Sequence, residues 1–248
     1  MIAALPIVTR GSATVEIVLA AHDQPNVQAM LPALRALLPA EDLAREQRYR
    51  MTGDRDRFVV GRGLSRLLLG QVLGLPPAEV PLATEPHGRP VPVAPGATAV
   101  GFNVSHTPGL VAVALASTRD VGIDVEDTAR AITHDIPSRF FSPAELRELH
   151  AHAPAAQRSA FFDYWTLKEA YIKARGLGLA IPLDQFSFHL APPADPTLSL
   201  DPRQLDTADS WQFHLASPTG RHRLALAVRR AGTDARAVRV TWFGAPPP

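Results

Sequence analysis

The same order of elements occurs twice along this chain, with a spacing of about 100 residues. Each half contains a Pro-Ala-Glu helix start, a long helix with apolar periodicity and a hairpin whose turn contains Pro and Gly. The second helix start is predicted to be a capping box, with Ser142 at the N-cap and Glu145 at N3. The helices are predicted over 56–75 and 161–174, and the hairpins turn at 107–109 and 217–220. An internal duplication of one α+β unit explains this repeat; turn chemistry shared by chance is the alternative.

The repeat predicts two domains of the α+β class. We expect an N-terminal α+β subdomain at 1–118 and a C-terminal α+β subdomain at 119–248, with the boundary at the polar stretch 117–120. With 248 residues, the chain is long enough to bury a substantial core in either arrangement.

Composition excludes several classes of function. The net charge of +1 argues against extended nucleic-acid binding. No apolar run approaches the roughly 18 residues of a membrane span, so we expect no membrane partner. The chain contains no cysteine, which excludes disulfides, thiolate metal sites and a cysteine nucleophile and fits a cytoplasmic location.

Two carboxylates lie on one face of a predicted strand, VGIDVED at 121–127. The period of two places Asp124 and Glu126 on the same side, together with Gly122. Neighbouring carboxylates repel each other, and burying them costs several kcal/mol per ion unless a cation compensates. Hard oxygen ligands suit Mg²⁺. The alternative is a strand end that turns into solvent.

The predicted helix at 161–174 places Trp165, Glu169 and Lys173 on one face at intervals of four residues, with Lys168 beside them. An ordinary surface ion pair between Glu169 and Lys173, worth about 0.3–0.5 kcal/mol, would also explain two of these residues. The Gly-Leu-Gly sequence at 176–178 lets the backbone turn sharply after the helix. Taken with the acidic strand, these residues suit a Mg²⁺ site for phosphoryl chemistry.

Four ordered motifs resemble those of 4′-phosphopantetheinyl transferases of the surfactin-synthetase-activating type. They are G-R-P at 88–90, F-N-V-S-H at 102–106, G-I-D-V-E at 122–126 and W-T-L-K-E-A-Y-I-K at 165–173. The resemblance extends from the basic region near Arg45 to the glycine at 178.

This resemblance implies a reaction, a fold and partners. Such enzymes move the phosphopantetheine arm of coenzyme A to a serine of an apo acyl, peptidyl or aryl carrier protein and release adenosine 3′,5′-bisphosphate. The implied fold has two similar α+β lobes related by pseudo-twofold symmetry, with coenzyme A in the cleft between them. The implied metal is Mg²⁺, with Mn²⁺ as a substitute. Because both lobes belong to one chain, we expect a monomer.

The resemblance also assigns roles to individual residues. Asp124, Glu126 and Glu169 are expected to surround Mg²⁺, Glu169 to accept the proton of the carrier serine, and Lys173 to stabilise the leaving phosphate. The expected contacts with coenzyme A are Arg45, Arg89, Ser105, His106, Lys168 and Lys173. Arg45 belongs to a basic belt of arginines between residues 45 and 62, of which one or two are expected to touch ligand.

Two other functions remain as alternatives. Acidic residues followed by a glutamate and a lysine also suit a Mg²⁺-dependent nuclease or phosphodiesterase, although the net charge argues against it. A module that binds carrier proteins without catalysis is the non-enzymatic alternative. Coenzyme A binding distinguishes the first alternative, and turnover distinguishes the second.

Overall fold

The computed structural model describes residues 13–132, 136–178, 181–190 and 194–244. The chain divides into two compact units. The first comprises Met1–Arg119 with Arg236–Pro248, and the second comprises Asp120–Ala235.

The first unit combines a four-stranded sheet with helices. Its sheet strands are β1 (Thr14–Ala20), β4 (Gly101–Thr107), β5 (Leu110–Ala116) and β11 (Ala237–Trp242), in the order β11-β1-β5-β4. Its helices are α1 (Pro25–Gln28), α2 (Leu31–Arg35), α3 (Ala40–Glu46) and α4 (Thr52–Leu73). A small antiparallel pair is formed by β2 (Leu82–Thr84) and β3 (Pro90–Pro92).

Helix α4 is the long helix of this unit, and its sequence explains both its packing and its end. Its apolar side chains Phe58, Leu64 and Leu68 are buried in the core of the unit. The helix ends at Gly74, whose φ of 68° is left-handed and suits glycine. The helix begins four residues before the predicted start at 56. The apolar periodicity identifies only the turns that pack against the core, and the first turn of α4 is not one of them.

The predicted hairpin is present as β4 and β5, which pair in antiparallel register around the turn at Gly109. The predicted division of the chain differs from the observed one at its C-terminal end. There, β11 pairs in parallel with β1, with Ile17 opposite Val240, and therefore groups with the first unit. The predicted subdomain 119–248 places this strand in the second unit instead. The prediction differs from the structure here because local sequence patterns do not determine which distant strand a segment pairs with.

The second unit repeats the combination of antiparallel strands and one long helix. Its main sheet has the order β6-β10-β9, formed by β6 (Val121–Asp127), β9 (Trp211–Thr219) and β10 (His222–Arg229). A second antiparallel pair consists of β7 (Phe186–His189) and β8 (Thr197–Leu200). The helices are α5 (Ile136–Phe140), α6 (Pro143–Ala151) and α7 (Pro154–Arg175). The α+β class predicted from the sequence is confirmed.

The start signal of α6 and the end signal of α7 lie where the sequence predicts, whereas α7 begins at Pro154, seven residues before the predicted start at 161. At α6, Ser142 Oγ accepts from the Glu145 amide at 3.2 Å, and the Glu145 carboxylate accepts from the Ser142 amide at 2.8 Å. Helix α7 ends at Gly176, whose φ of 65° is left-handed. In the part of the chain that the structure describes, no helix has the length and apolarity that a membrane crossing requires.

In the first unit, the hairpin turn is tied to α4 by a neutral histidine. The ring of His22 is buried, and its Nε2 accepts from the Gly109 amide at 3.2 Å and lies 3.4 Å from Arg57 Nη1. Both neighbours are donors, so Nε2 carries no proton in this arrangement. Burial and the Arg57 charge lower the pKa of His22, although Asp23 and Asp56 oppose this shift.

We therefore expect the stability of the protein to fall on acidification through His22. A histidine with a lowered folded-state pKa contributes stability that is complete above the unfolded value of about 6.5 and is lost as the pH falls below it. Urea unfolding of His22→Gln at pH 7.5 and 5.5 should show a smaller loss between the two pH values than the unsubstituted protein. His150→Gln, a change at an exposed histidine of α6, is the control. Equal losses in all three proteins would contradict the expectation.

Candidate active site

The site begins with a close approach of strand β6 to helix α7. A Cβ atom added at Gly122 would lie 2.1 Å from the Ala170 carbonyl oxygen and 2.4 Å from the Ala174 amide nitrogen. The backbones are therefore closer than any side chain at this position allows. Since Asp124 is two residues further along the strand, it faces the same helix.

The predicted acidic strand and basic helix meet at this contact. Lys173 Nζ lies 2.6 Å from Asp124 Oδ1 and 3.3 Å from the Ile123 carbonyl oxygen. Trp165 Nε1 donates to Glu126 Oε1 at 2.9 Å. The structure thus brings together side chains that are separated by about 40–50 residues in the sequence, as the motif resemblance implies.

An arginine that the sequence reasoning missed completes the cluster. Arg130 donates from Nε to Glu126 Oε2 at 2.7 Å and from Nη2 to Glu126 Oε1 at 3.0 Å. Its guanidinium also lies over the ring of Phe162, 5.4 Å from the centroid. A basic residue four positions after the second carboxylate is the signal that could have identified it, because the turn after β6 can fold it back onto the strand.

The carboxylates of the cluster destabilise one another's charged forms. Burial and the neighbouring Asp124 charge raise the pKa of Glu169; Glu126 adds to this shift, while Lys173 and Arg130 oppose it. Burial and Asp124 likewise raise the pKa of Glu126. Such an excess of buried negative charge favours the binding of a cation.

The carboxylates are not arranged around a metal position in this structure. Across residues 13–132, 136–178, 181–190 and 194–244, no group of three or more Asp, Glu or His side chains has an arrangement that could hold an ion. Lys173 pairs with Asp124 and Arg130 pairs with Glu126. Side-chain rearrangement would therefore have to accompany metal binding.

Lys168 has a different environment from the one that the resemblance implied. It is fully buried, and its ammonium group contacts Glu145 at 2.7 Å and donates to the carbonyl oxygens of Leu183 at 2.8 Å and Phe186 at 2.9 Å. These three contacts use the three donors of the ammonium group. The prediction that Lys168 contacts coenzyme A is therefore corrected: this lysine holds α7 to α6 and to β7 inside the core.

Among the other candidate residues for coenzyme A, Lys173 belongs to the cluster in the second unit, and the remaining four lie in the first unit. Ser105 and His106 are adjacent on β4, where Ser105 is buried and His106 is exposed. Arg89 donates to Glu85 Oε2 at 2.7 Å and is mostly buried. Arg45 is exposed and lies over the ring of Phe58 at 5.6 Å.

Part of the basic belt is engaged in ion pairs inside the first unit. Arg57 pairs with Asp54, and Arg62 pairs with Asp42 at 2.9 Å. The exposed members are Arg45, Arg48, Arg50 and Arg55. Four of these six arginines are therefore exposed, and the expectation that one or two of them touch ligand stays a prediction.

Two family models cover most of the described chain. Residues 120–228 match the 4′-phosphopantetheinyl transferase superfamily, and residues 23–118 match the N-terminal domain of a 4′-phosphopantetheinyl transferase. The chain belongs to the 4′-phosphopantetheinyl transferase superfamily. The family and the enzyme class predicted from the motifs are therefore confirmed.

Individual relatives agree with this assignment. The chain is 36% identical over 214 residues to the 4′-phosphopantetheinyl transferase HetI of Nostoc sp. (strain PCC 7120 / SAG 25.82 / UTEX 2576), covering 85% of each chain. It is 32% identical over 169 residues to the 4′-phosphopantetheinyl transferase Sfp of Bacillus subtilis (strain 168), covering 68% of this chain and 73% of that protein. Holo-[acyl-carrier-protein] synthase of Thermotoga maritima is a more distant structural likeness, with a TM-score of 0.36, 24% identity and coverage of 45% of this chain and 62% of that chain.

Replacing Gly122 tests how closely strand β6 approaches helix α7. Gly122→Ala should lower the free energy of unfolding by about 3 kcal/mol, since the added methyl group meets backbone atoms that cannot rotate away. Gly220→Ala is the matched control, because a Cβ at Gly220 meets no atom within 4 Å. Urea unfolding monitored by tryptophan fluorescence measures both variants. Equal stability of the two would show that the approach is looser than described.

Replacing Lys168 tests its corrected role. Lys168→Met should lower the free energy of unfolding by about 3–5 kcal/mol, because it leaves the buried Glu145 carboxylate without its cation. The folded fraction should bind coenzyme A with unchanged affinity in a calorimetric titration at low temperature. Combining the change with Glu145→Gln should recover part of the lost stability. A variant of normal stability with weakened coenzyme A binding would restore the ligand-binding role.

Proposed function

We propose that this transferase moves the 4′-phosphopantetheine arm of coenzyme A to a serine of an apo carrier protein in a Mg²⁺-dependent reaction that releases adenosine 3′,5′-bisphosphate. The observation that carries the proposal is the cluster of Asp124, Glu126, Glu169 and Lys173, which brings three carboxylates and a cation together in one unit. Transfer of a phosphoryl group out of a pyrophosphate is favoured by a cation at the phosphates and a base at the nucleophile.

The donor set of the cluster fits Mg²⁺. Asp124, Glu126 and Glu169 offer hard oxygen atoms, and the raised pKa of Glu169 and of Glu126 reflects buried negative charge that a divalent cation would relieve. When bound, the ion would polarise and neutralise the phosphate oxygens of the donor. Mn²⁺ has similar ligand preferences and is the proposed substitute.

Glu169 is the proposed general base. It is half-buried on α7, and its raised pKa makes its carboxylate a better proton acceptor than a solvent-exposed glutamate. The serine hydroxyl would give its proton to Glu169, directly or through a water molecule, while its oxygen forms a bond to the β-phosphorus of coenzyme A. The bond from that phosphorus to the bridging oxygen breaks, and adenosine 3′,5′-bisphosphate leaves.

Lys173 is the proposed electrostatic partner of the leaving phosphate. Its ammonium group is held at the cluster by Asp124 and by the Ile123 carbonyl oxygen, so its charge is positioned before substrate arrives. An ammonium group has three donors in total, so Lys173 could contact a phosphate oxygen while it keeps at least one of its present partners.

The nucleotide end of coenzyme A is assigned to residues of the first unit. Ser105, His106, Arg89 and Arg45 remain the proposed contacts, on the basis of the motif resemblance. The exposed His106 and Arg45 are the members whose side chains are already accessible. Arg89 would have to share its guanidinium with Glu85, whose pKa the arginine lowers.

The partners follow from the same chemistry. We infer apo acyl, peptidyl or aryl carrier proteins as acceptors, a monomeric state and a cytoplasmic location, and no nucleic-acid or membrane partner. Membership of the transferase superfamily favours this function over the nuclease alternative. The presence of all four cluster residues favours it over a binding module without catalysis.

The direct experiment is intact-mass spectrometry of a panel of apo carrier proteins incubated with coenzyme A, Mg²⁺ and the enzyme. A gain of one phosphopantetheine mass that disappears with EDTA would establish the reaction and begin to rank the carriers. Binding of coenzyme A without any transfer across the panel would favour the non-catalytic alternative, and an absence of coenzyme A binding would remove the proposal.

Glu169→Gln tests the proposed base. The amide has the size of the carboxylate but accepts no proton, so turnover should fall by about 10²–10⁴-fold, and by more if metal binding is also lost. Carrier modification followed by mass spectrometry measures the rate. Glu41→Gln, an exposed glutamate on α3, is the matched control and should retain the original rate. A Glu169→Gln enzyme with near-normal turnover would exclude this residue as the base.

A further inference from the structure

Two of the three proposed metal ligands are paired with cations of the chain itself. Lys173 Nζ lies 2.6 Å from Asp124 Oδ1, and Arg130 Nε lies 2.7 Å from Glu126 Oε2. The three carboxylates and two cations leave the cluster with about one net negative charge if all are ionised. A divalent ion added alone would reverse the sign of this charge, whereas an ion that arrives with a pyrophosphate would not.

Arg130 binds its carboxylate in a bidentate arrangement. Its two hydrogen bonds and the one from Trp165 occupy three of the roughly four acceptor positions of the Glu126 carboxylate. A charge-assisted bidentate pair of this kind is strong and specific in geometry. Glu126 therefore has little capacity left for a metal ion while Arg130 remains in place.

The arginine side chain is nevertheless able to move. Its side chain is 31% exposed, whereas the backbone beneath it is held by Arg158, which donates to the carbonyl oxygens of Thr128 at 2.7 Å and of Arg130 at 2.5 Å. The guanidinium groups of Arg130 and Arg158 both lie over the ring of Phe162. The side chain can thus leave Glu126 without disturbing the segment that carries it.

We propose that Arg130 is a positioning residue that exchanges partners: it pairs with Glu126 in the metal-free enzyme and transfers to a phosphate oxygen of the donor substrate when Glu126 binds the divalent ion. The inference rests on the proposed function of Asp124, Glu126 and Glu169 as metal ligands. It makes the binding of the ion and the binding of a phosphate-bearing ligand mutually dependent, and such coupling is reciprocal.

The consequence is that Arg130 weakens metal binding in the absence of substrate. A metal ion can bind Glu126 only after the charge-assisted pair between Arg130 and Glu126 is broken, which costs free energy. The phosphate returns free energy when it accepts hydrogen bonds from the freed guanidinium. Coenzyme A should therefore raise the affinity for the ion, and removal of Arg130 should raise the affinity in the absence of coenzyme A while reducing the effect of coenzyme A.

The test is a Mn²⁺ titration of the full chain, with the free ion measured by electron paramagnetic resonance, with and without saturating coenzyme A. Arg130→Gln should bind Mn²⁺ about tenfold more tightly than the unsubstituted protein when coenzyme A is absent, as the loss of a charged hydrogen-bonded competitor predicts. The factor by which coenzyme A increases the affinity should fall by about the same amount. Arg130→Lys keeps the charge but loses the bidentate geometry and should lie between the two.

Arg203→Gln is the matched control, since it removes a bidentate arginine–carboxylate pair with Asp201 on the exposed surface of the same unit. It should change neither Mn²⁺ affinity nor coupling. Unchanged or weaker Mn²⁺ binding by Arg130→Gln would overturn the exchange and leave the metal assignment intact. Coenzyme A binding without detectable Mn²⁺ binding to the unsubstituted protein would overturn the metal assignment, and the exchange with it.

Discussion

The close approach of β6 to α7 is the constraint on which the rest of the second unit depends. Only glycine at position 122 lets the strand lie against the helix backbone near Ala170 and Ala174. This contact brings Asp124 to Lys173 across a sequence separation of 49 residues. A larger residue would move the strand outward, and the carboxylates would lose their alignment with the helix. Gly122 is therefore needed both for the close packing of β6 against α7 and for the position of the carboxylates.

Lys168 and Glu169 are adjacent in the motif but lie on different faces of the same helix, one in the core and one at the proposed site. Lys168 points into the core, where its pair with Glu145 joins the helix to the capping box of α6. Glu169 faces the cluster, where burial and Asp124 raise its pKa. The buried pair is stabilising only while both partners are present. The helix that carries the proposed base is consequently fixed by an interaction that takes no part in the reaction.

The charge balance of the cluster explains how three carboxylates can share a half-buried site. Lys173 and Arg130 offset part of the repulsion among Asp124, Glu126 and Glu169. The same cations would be suited to receive phosphate oxygens once a metal ion replaces them on the carboxylates. In this view the metal-free site is already electrostatically matched to a ligand that brings both a divalent ion and negative charge.

The sequence by itself determined the family, the α+β class, the hairpin at 107–109 and the capping box at Ser142, because these follow from local patterns and motifs with fixed spacing. Tertiary structure alone decided the partner of β11, the burial of Lys168 and the bidentate contact of Arg130 with Glu126. Each of these depends on which distant segment packs against the residue. A lysine in a motif has the same local pattern whether it faces a phosphate or a buried carboxylate, and only the packing around it distinguishes the two.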